Sequence, residues 1–275
     1  MKLFACMCNQ PQRLSAALEP VRSALTAQAP VSRWGLGYVQ GGDVLLVRTP
    51  KGSASSAIDL ASPLAEIRSD CAIAVAVRDP INSSVPGGTD NTPPFRFRRW
   101  LFGMTPGAGG LEVINARLME HIPEYLRRNI RGRTPQELIF HVFLAMLHDE
   151  GNIDDANITT AAQRRALAAT VRLVQAELDK ASRAAETTPI DTQLALGNIA
   201  VTNGRSMMLA HLSEPLRVRR LTVPNDRGDV DPSFRGLLLL SGGDGETKDG
   251  FEDVPPKSAV LISRDLQLSF ADLAP

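Results

Sequence analysis

Neither sign of charge predominates in this chain: 30 Lys and Arg balance 30 Asp and Glu, giving zero formal charge and a pI near 6.9. Nothing electrostatic therefore recruits a nucleic-acid backbone or an anionic membrane. Cysteine is scarce as well. Three thiols cannot pair completely, and Cys6-x-Cys8 with a distant Cys71 is not a disulfide framework, so a reducing cytoplasm is the expected setting. No apolar run approaches the roughly 20 residues of a membrane-spanning helix. The apolar opening that ends at Cys8 is cut off by Asn9-Gln10-Pro11, too early for a secretory signal, and no targeting segment is read. What remains is 275 residues with 43% hydrophobic content, enough for one large domain or two small ones in a soluble globular protein.

Residues 2–8 are compact and mostly apolar with a turn signal behind them, which predicts a strand. Over residues 11–29, Leu14, Ala17, Leu18, Val21 and Leu25 recur at three- and four-residue steps and predict a helix with one buried face. Residues 34–40 and 43–48 flank Gly41-Gly42 and read as a hairpin. Residues 71–77, apolar throughout, predict a strand covered on both faces. The proline- and glycine-rich stretch 79–91 reads as a surface loop, and Trp100 begins a return to the core. Helices are expected from Leu111 to about Lys180. Pro135 opens one where its missing N–H costs nothing, with Leu138, Val142, Ala145 and Met146 as its stripe, and residues 160–185 form another. A second hairpin turns at Asn203-Gly204 between residues 197–202 and 206–211, and strands are predicted at 236–241 and 258–263. The order strands, helices, strands predicts sheets packed together with helices outside.

Seven short segments, taken in order over nearly the whole chain, resemble the class II glutamine amidotransferases. Leu3-Phe4-Ala5 is similar to that family's first strand, Trp34-Gly35-Leu36-Gly37 to its tryptophan-glycine turn, and Val77-Arg78 to the end of its arginine strand. Asn91-Thr92-Pro93-Pro94-Phe95 resembles an Asn-Thr-His-Pro-Phe motif, and Trp100-Leu101-Phe102-Gly103 the strand that delivers the oxyanion loop. Gly132-Arg133-Thr134-Pro135-Gln136-Glu137 resembles a Gly-x-Thr-Asp-Ser-Glu turn, and residues 250–258 resemble a Glu-x-Val-Pro-Pro-Gly end strand. The resemblance implies an α+β fold, a four-layer αββα sandwich of two antiparallel sheets between helical layers, as one glutamine amidotransferase type-2-like domain over residues 1–275.

The chemistry that the resemblance implies is incomplete. The family's nucleophile is a cysteine that heads the mature chain, its α-amino group shuttling the proton. Lys2 stands at that position, and an ordinary ammonium is no nucleophile at neutral pH. A bulky second residue is also expected to block removal of Met1. The oxyanion loop, His-Asn-Gly in the family, corresponds to Met104-Thr105-Pro106: Thr105 replaces an amide donor and Pro106 has no N–H. Two donors are lost, each worth on the order of 3 kcal/mol of barrier. The aspartate that would hold the substrate ammonium falls at Pro135, whereas Arg78 keeps the position that pairs with the glutamine carboxylate. The substrate-pocket positions are thus Arg78, Thr105, Asn91 and Trp34.

The expectation is a catalytically inactive glutamine amidotransferase-like protein that binds a protein partner or a small carboxylate or other anion, with no cofactor and no metal. Its alternative is an active amidotransferase or amidohydrolase that uses a displaced cysteine, Cys6 being the fallback nucleophile; Cys6 and Cys8 otherwise read as small core residues. Cys6-x-Cys8 lacks partner spacing for a metal site. His141 and His148 sit two helical turns apart and read as packed or surface residues, and Gly242-Gly243-Asp244-Gly245 reads as a solvated loop rather than a phosphate loop. Arg96, Arg98 and Arg99 alternate with Phe95, Phe97 and Trp100, which fits a strand with one wet face or, with Arg78, an anion site. An exposed sheet edge or this alternation could pair two copies into a homo-oligomer.

Overall fold

Residues Cys71–Val77 are apolar at every position because they form a strand with both faces covered, and all seven are buried. The computed structural model in which they lie describes residues 2–28, 30–50, 57–79, 87–107, 110–151, 153–184, 196–242 and 250–273. In chain order the first half supplies strands β1 (Lys2–Cys8), β2 (Thr26–Ala27), β3 (Arg33–Gln40), β4 (Asp43–Thr49), β5 (Ile58–Asp59), β6 (Cys71–Val77), β7 (Phe95–Phe97) and β8 (Trp100–Pro106), with short helices α1 (Leu14–Leu18) and α2 (Arg22–Leu25) after β1. Helices α3 (Asn115–Glu120), α4 (Glu124–Arg127), α5 (Pro135–Glu150) and α6 (Thr160–Ala184) follow. Strands β9 (Leu196–Thr202), β10 (Met207–Ala210), β11 (Leu216–Leu221), β12 (Gly236–Ser241), β13 (Glu252–Asp253), β14 (Ser258–Ile262) and β15 (Leu268–Asp272) complete the chain.

The strands build a seven-stranded sheet ordered β13-β11-β12-β1-β6-β3-β4 and a six-stranded sheet ordered β15-β14-β10-β9-β8-β7, with β2 and β5 as a separate pair. Neighbouring strands pair antiparallel, β1 against both β12 and β6. Side chains alternate across a strand, and β1 divides its residues between two cores accordingly. Leu3, Ala5 and Met7 pack with Leu101, Ala200, Leu209 and Val260 of the second sheet. Phe4, Cys6 and Cys8 pack with Leu14, Leu18 and Leu25 of the N-terminal helices. The far side of the second sheet buries Phe102 and Met104 against Phe140 and Phe143 of α5 and Leu167 of α6. There the Phe102 and Phe140 rings stack at 5.0 Å, and Trp100 meets Phe143 edge-on at 5.7 Å while its indole N–H donates to the Ile153 carbonyl.

The structure corrects several sequence expectations. Leu14, Ala17, Leu18, Val21 and Leu25 are all buried, but they do not share one helix. Pro20 sits in a 3₁₀ turn over Glu19–Val21 that separates α1 from α2, because proline offers no N–H to a continuing α-helix. Helix α5 has more than a stripe: buried residues surround it, since the second sheet, α3 and α6 pack against it. Trp34 to Gly37 form no turn but lie inside β3, where a Cβ on Gly35 would strike the Pro93 carbonyl oxygen. These glycines let residues 93–94 lie against the strand. The family-like end segment, residues 250–258, is no continuous strand: Glu252–Asp253 joins the first sheet and Ser258 opens β14 of the second, while Leu216–Leu221 pairs as a strand, β11. Residues 243–248 of the glycine-rich loop lie outside the described residues. No helix of the described residues is long and apolar enough to cross a membrane.

Candidate functional site

Lys2 opens β1 opposite Ala76, which in turn faces Trp34 on β3, so the three lie in one row. The Lys2 ammonium donates to the carbonyls of Ala24 and Thr26, 2.7 Å each. These carbonyls end α2, where backbone acceptors lose their intrahelical partners and a cation is favoured. Trp34 is half-buried against the same core. Arg78, one residue past β6, is exposed and donates from Nε to the Pro30 carbonyl at 3.1 Å. Cys6 is fully buried four residues further along β1, and burial raises its thiol well above the usual range. Burial likewise pushes Cys8 and Cys71 up to about 12.

Thr105 is placed by a β-bulge. Met104 pairs with Ile199 and Pro106 with Leu196, so Gly197 and Asn198 together face Thr105 alone. The Asn198 amide donates to Thr105 Oγ1 at 2.9 Å, so that hydroxyl accepts a backbone bond within the bulge. The Asn198 side chain then joins three segments. Its Nδ2 donates to the Glu214 carbonyl at 2.6 Å and to Ser241 Oγ at 2.8 Å, and its Oδ1 accepts from the amides of Leu212 and Ser213. The sequence singles out Thr105 and not Asn198; a glycine followed by asparagine at the head of an apolar strand is the signal for a bulge.

Beside this junction the Glu214 carboxyl is half-buried, and its Oε2 has no hydrogen-bond partner. Burial raises its pKa. A carboxyl with a raised folded pKa favours the folded state below its unfolded pKa and loses that contribution as pH rises through the folded value. Glu214→Gln should therefore stabilise the protein at pH 8, because the amide carries no charge for burial to penalise. It should change little at pH 4. Thermal melts of both proteins at the two pH values check this; equal shifts at both would sink it.

Asn91 lies in a buried corner. Its Oδ1 accepts from the Arg133 amide at 2.7 Å, its Nδ2 donates to the Gly87 carbonyl, and its own carbonyl accepts from Arg33 Nη1. Next to it Thr134 caps α5, and both carboxylate oxygens of Glu137 accept amides, from Arg131 at 2.9 Å and Gly132 at 2.7 Å. Arg33 forms a buried ion pair with Asp79 at 2.9 Å. Nothing near them in sequence marks this pair. Lys2 and Trp34 thus share one face of the first sheet, Arg78 lies just past β6, Thr105 sits in the bulge, and Asn91 packs against the turn before α5.

A cavity of about 920 Å³ opens elsewhere, between β4 and β7, the edge strands of the two sheets. Arg48, Arg96, Arg98 and Arg131 line it, facing two carboxylates, Asp90 and Glu137. Arg96 donates to the Val44 carbonyl of β4 at 2.7 Å, and Arg48 donates to the carbonyls of Pro94 and Thr89, so both tie the edges together. The guanidinium of Arg48 lies over Phe95 and that of Arg98 over Phe97, at 5.7 and 5.2 Å from the ring centres. Of the sequence-derived arginine set, only Arg96 and Arg98 meet here. Arg98 takes a left-handed turn, φ 52°, and Arg99 instead lines a second cavity of about 480 Å³ with Asp70, Arg205, Arg235 and Arg264. Neither cavity is lined by Arg78, Thr105, Asn91 or Trp34.

This arrangement has known counterparts. The structure is similar over its full length to that of a glutamine aminotransferase class-II domain protein from Silicibacter pomeroyi, with a TM-score of 0.62 and 18% identity over 100% of both chains. It is also similar to a "predicted glutamine amidotransferase" from Pseudomonas aeruginosa, with a TM-score of 0.55 and 12% identity over 98% of this chain and 99% of that one. No family model matches the sequence, and no curated protein does. The mixed α/β fold is therefore glutamine amidotransferase-like.

Proposed function

We propose that this chain is a catalytically inactive glutamine amidotransferase-like protein that works by binding a partner or small ligand, in the cytoplasm and without a cofactor. Its three cores support reading the architecture as a four-layer αββα sandwich over one domain. The observation that carries the functional reading is at the head of β1. Lys2 occupies the position of the family's nucleophile with its ammonium bound to two carbonyls. Each of the three cysteines is buried, which weighs against a displaced nucleophile. Burial holds all three thiols protonated at pH 7.5, Cys6 among them, so none is a ready thiolate.

Purified protein, with its intact mass confirmed to include Lys2, should release no glutamate from glutamine above background. Its thiols should resist a disulfide reagent at pH 7.5 while folded and react at all three cysteines in denaturant. Glutamate release abolished by Cys6→Ala would establish the active alternative.

A further inference from the structure

We propose that the cleft between β4 and β7 binds a phosphate monoester carrying a compact flat or apolar group. The inference deepens the binding half of the proposed function and rests on it, but it concerns a cleft apart from the head of β1, one that adjoins the Asn91 corner through Asp90, Arg131 and Glu137. β4 is three strands from β1 in the first sheet, and the cleft is lined by none of Lys2, Trp34, Arg78 or Thr105.

Charge is the first argument. Arg48 and Arg96 donate to neutral carbonyls, which orient a guanidinium without cancelling its charge. Among the described residues, Arg48, Arg96 and Arg131 form no ion pair, whereas Arg98 pairs with Asp154 outside the cleft. Against these, Glu137 already has both oxygens engaged by amides. Among the side chains that line the cleft, four cations face two anions, an excess of positive charge on its wall; Asp154, which pairs with Arg98, and Asp149, which acts on Tyr125, lie outside that lining.

Shape and surface supply the rest. A guanidinium presents its N–H groups as a planar fork that matches phosphate oxygens, and several forks on one cleft suit a group with three terminal oxygens. Leu45 and Tyr125 line the same cleft and are 38% and 42% exposed, an apolar wall beside the cations. A volume of about 920 Å³ falls in the usual range for a small organic molecule. The ligand thus has an anionic end for Arg96 and Arg131 and a flat or apolar end for Leu45 and Tyr125.

Calorimetric titration with phenyl phosphate, inorganic phosphate and phenol separates the two ends. Phenyl phosphate should bind saturably, about tenfold more tightly than inorganic phosphate, and phenol should give no measurable heat of binding. Arg131→Gln, an exposed change, should weaken phenyl phosphate about tenfold, and Arg96→Gln should act in the same direction. Arg264→Gln, in the second cavity, should leave it unchanged. Unchanged binding in Arg131→Gln, equal binding of phenol, or no saturation by phenyl phosphate overturns the proposal. Glutamate release would instead overturn the inactive reading and leave the cleft's result standing.

Discussion

Gly197→Ala should leave little folded protein. An ideal Cβ at this position would overlap the Thr105 carbonyl oxygen and lie 2.5 Å from its carbonyl carbon and 2.6 Å from its Oγ1. The obstacle is backbone, so no side chain can swing away. Thr105 cannot retreat either: its strand, β8, is buried from Trp100 to Thr105 between the two cores that meet the second sheet. Relief requires β8 and β9 to part at the bulge, and the bulge is where Asn198 makes its bonds to Thr105, Ser241 and the turn at 212–214. A loss of at least about 4 kcal/mol follows, the size reserved for disrupted buried networks and overpacked cores. Gly87→Ala is the matched control, because its Cβ would meet nothing within 4 Å, and it should change stability by no more than about 0.5 kcal/mol. Urea denaturation of both variants measures the difference; a Gly197→Ala protein with the parent's midpoint would show that the bulge is not as tightly closed as described.

That bulge also shows where sequence reading stops. The elements legible in advance are those whose signal is local. Gly41 and Gly42 both adopt positive φ, 62° and 91°, as a two-residue hairpin turn demands, and Pro135 opens α5 behind a Thr134 cap. β6 is legible because a strand buried on both faces has no polar positions to interrupt it. Leu216–Leu221, which forms β11, escapes this reading, because Arg219 and Arg220 fall together and break the alternation of its buried Leu216, Val218 and Leu221. Asn198 is different: Gly197 before it signals a bulge, but its partners come from β8, β12 and a distant turn that no local pattern names. The same holds for Lys2: its identity is plain in the sequence, but its two carbonyl partners lie 22 and 24 residues away. The arginines after Phe95 show both limits. Their alternation is local and ends at the turn after Phe97, yet the cleft that each one faces depends on how two sheet edges come together.

Asp79→Ala should destabilise the protein by about 3–5 kcal/mol, although Asp79 belongs to no strand or helix. Its carboxylate lies 2.9 Å from Arg33 Nη2, and both side chains are only 5% exposed. Arg33 Nη1 is held by the Asn91 carbonyl at 2.5 Å, but among the described residues neither Nε nor Asp79 Oδ2 has a hydrogen-bond partner. Such a pair contributes little net stability, because bringing two charges out of water offsets most of their attraction. Removing one member is another matter. It strands a buried guanidinium whose pKa burial already lowers, and the Asn91 carbonyl cannot neutralise it. Replacing both at once, Arg33→Met with Asp79→Leu, removes the stranded charge and should recover most of the loss. The single variant's deficit should also persist in 1 M salt, since screening acts weakly on buried charge. A double variant as unstable as the single one would mean that Asp79 acts through packing and not through its charge, since its backbone amide still donates to Ser32 Oγ in either variant. Recovery in the double variant would place the pair as the anchor that holds the chain just past Arg78 against Asn91.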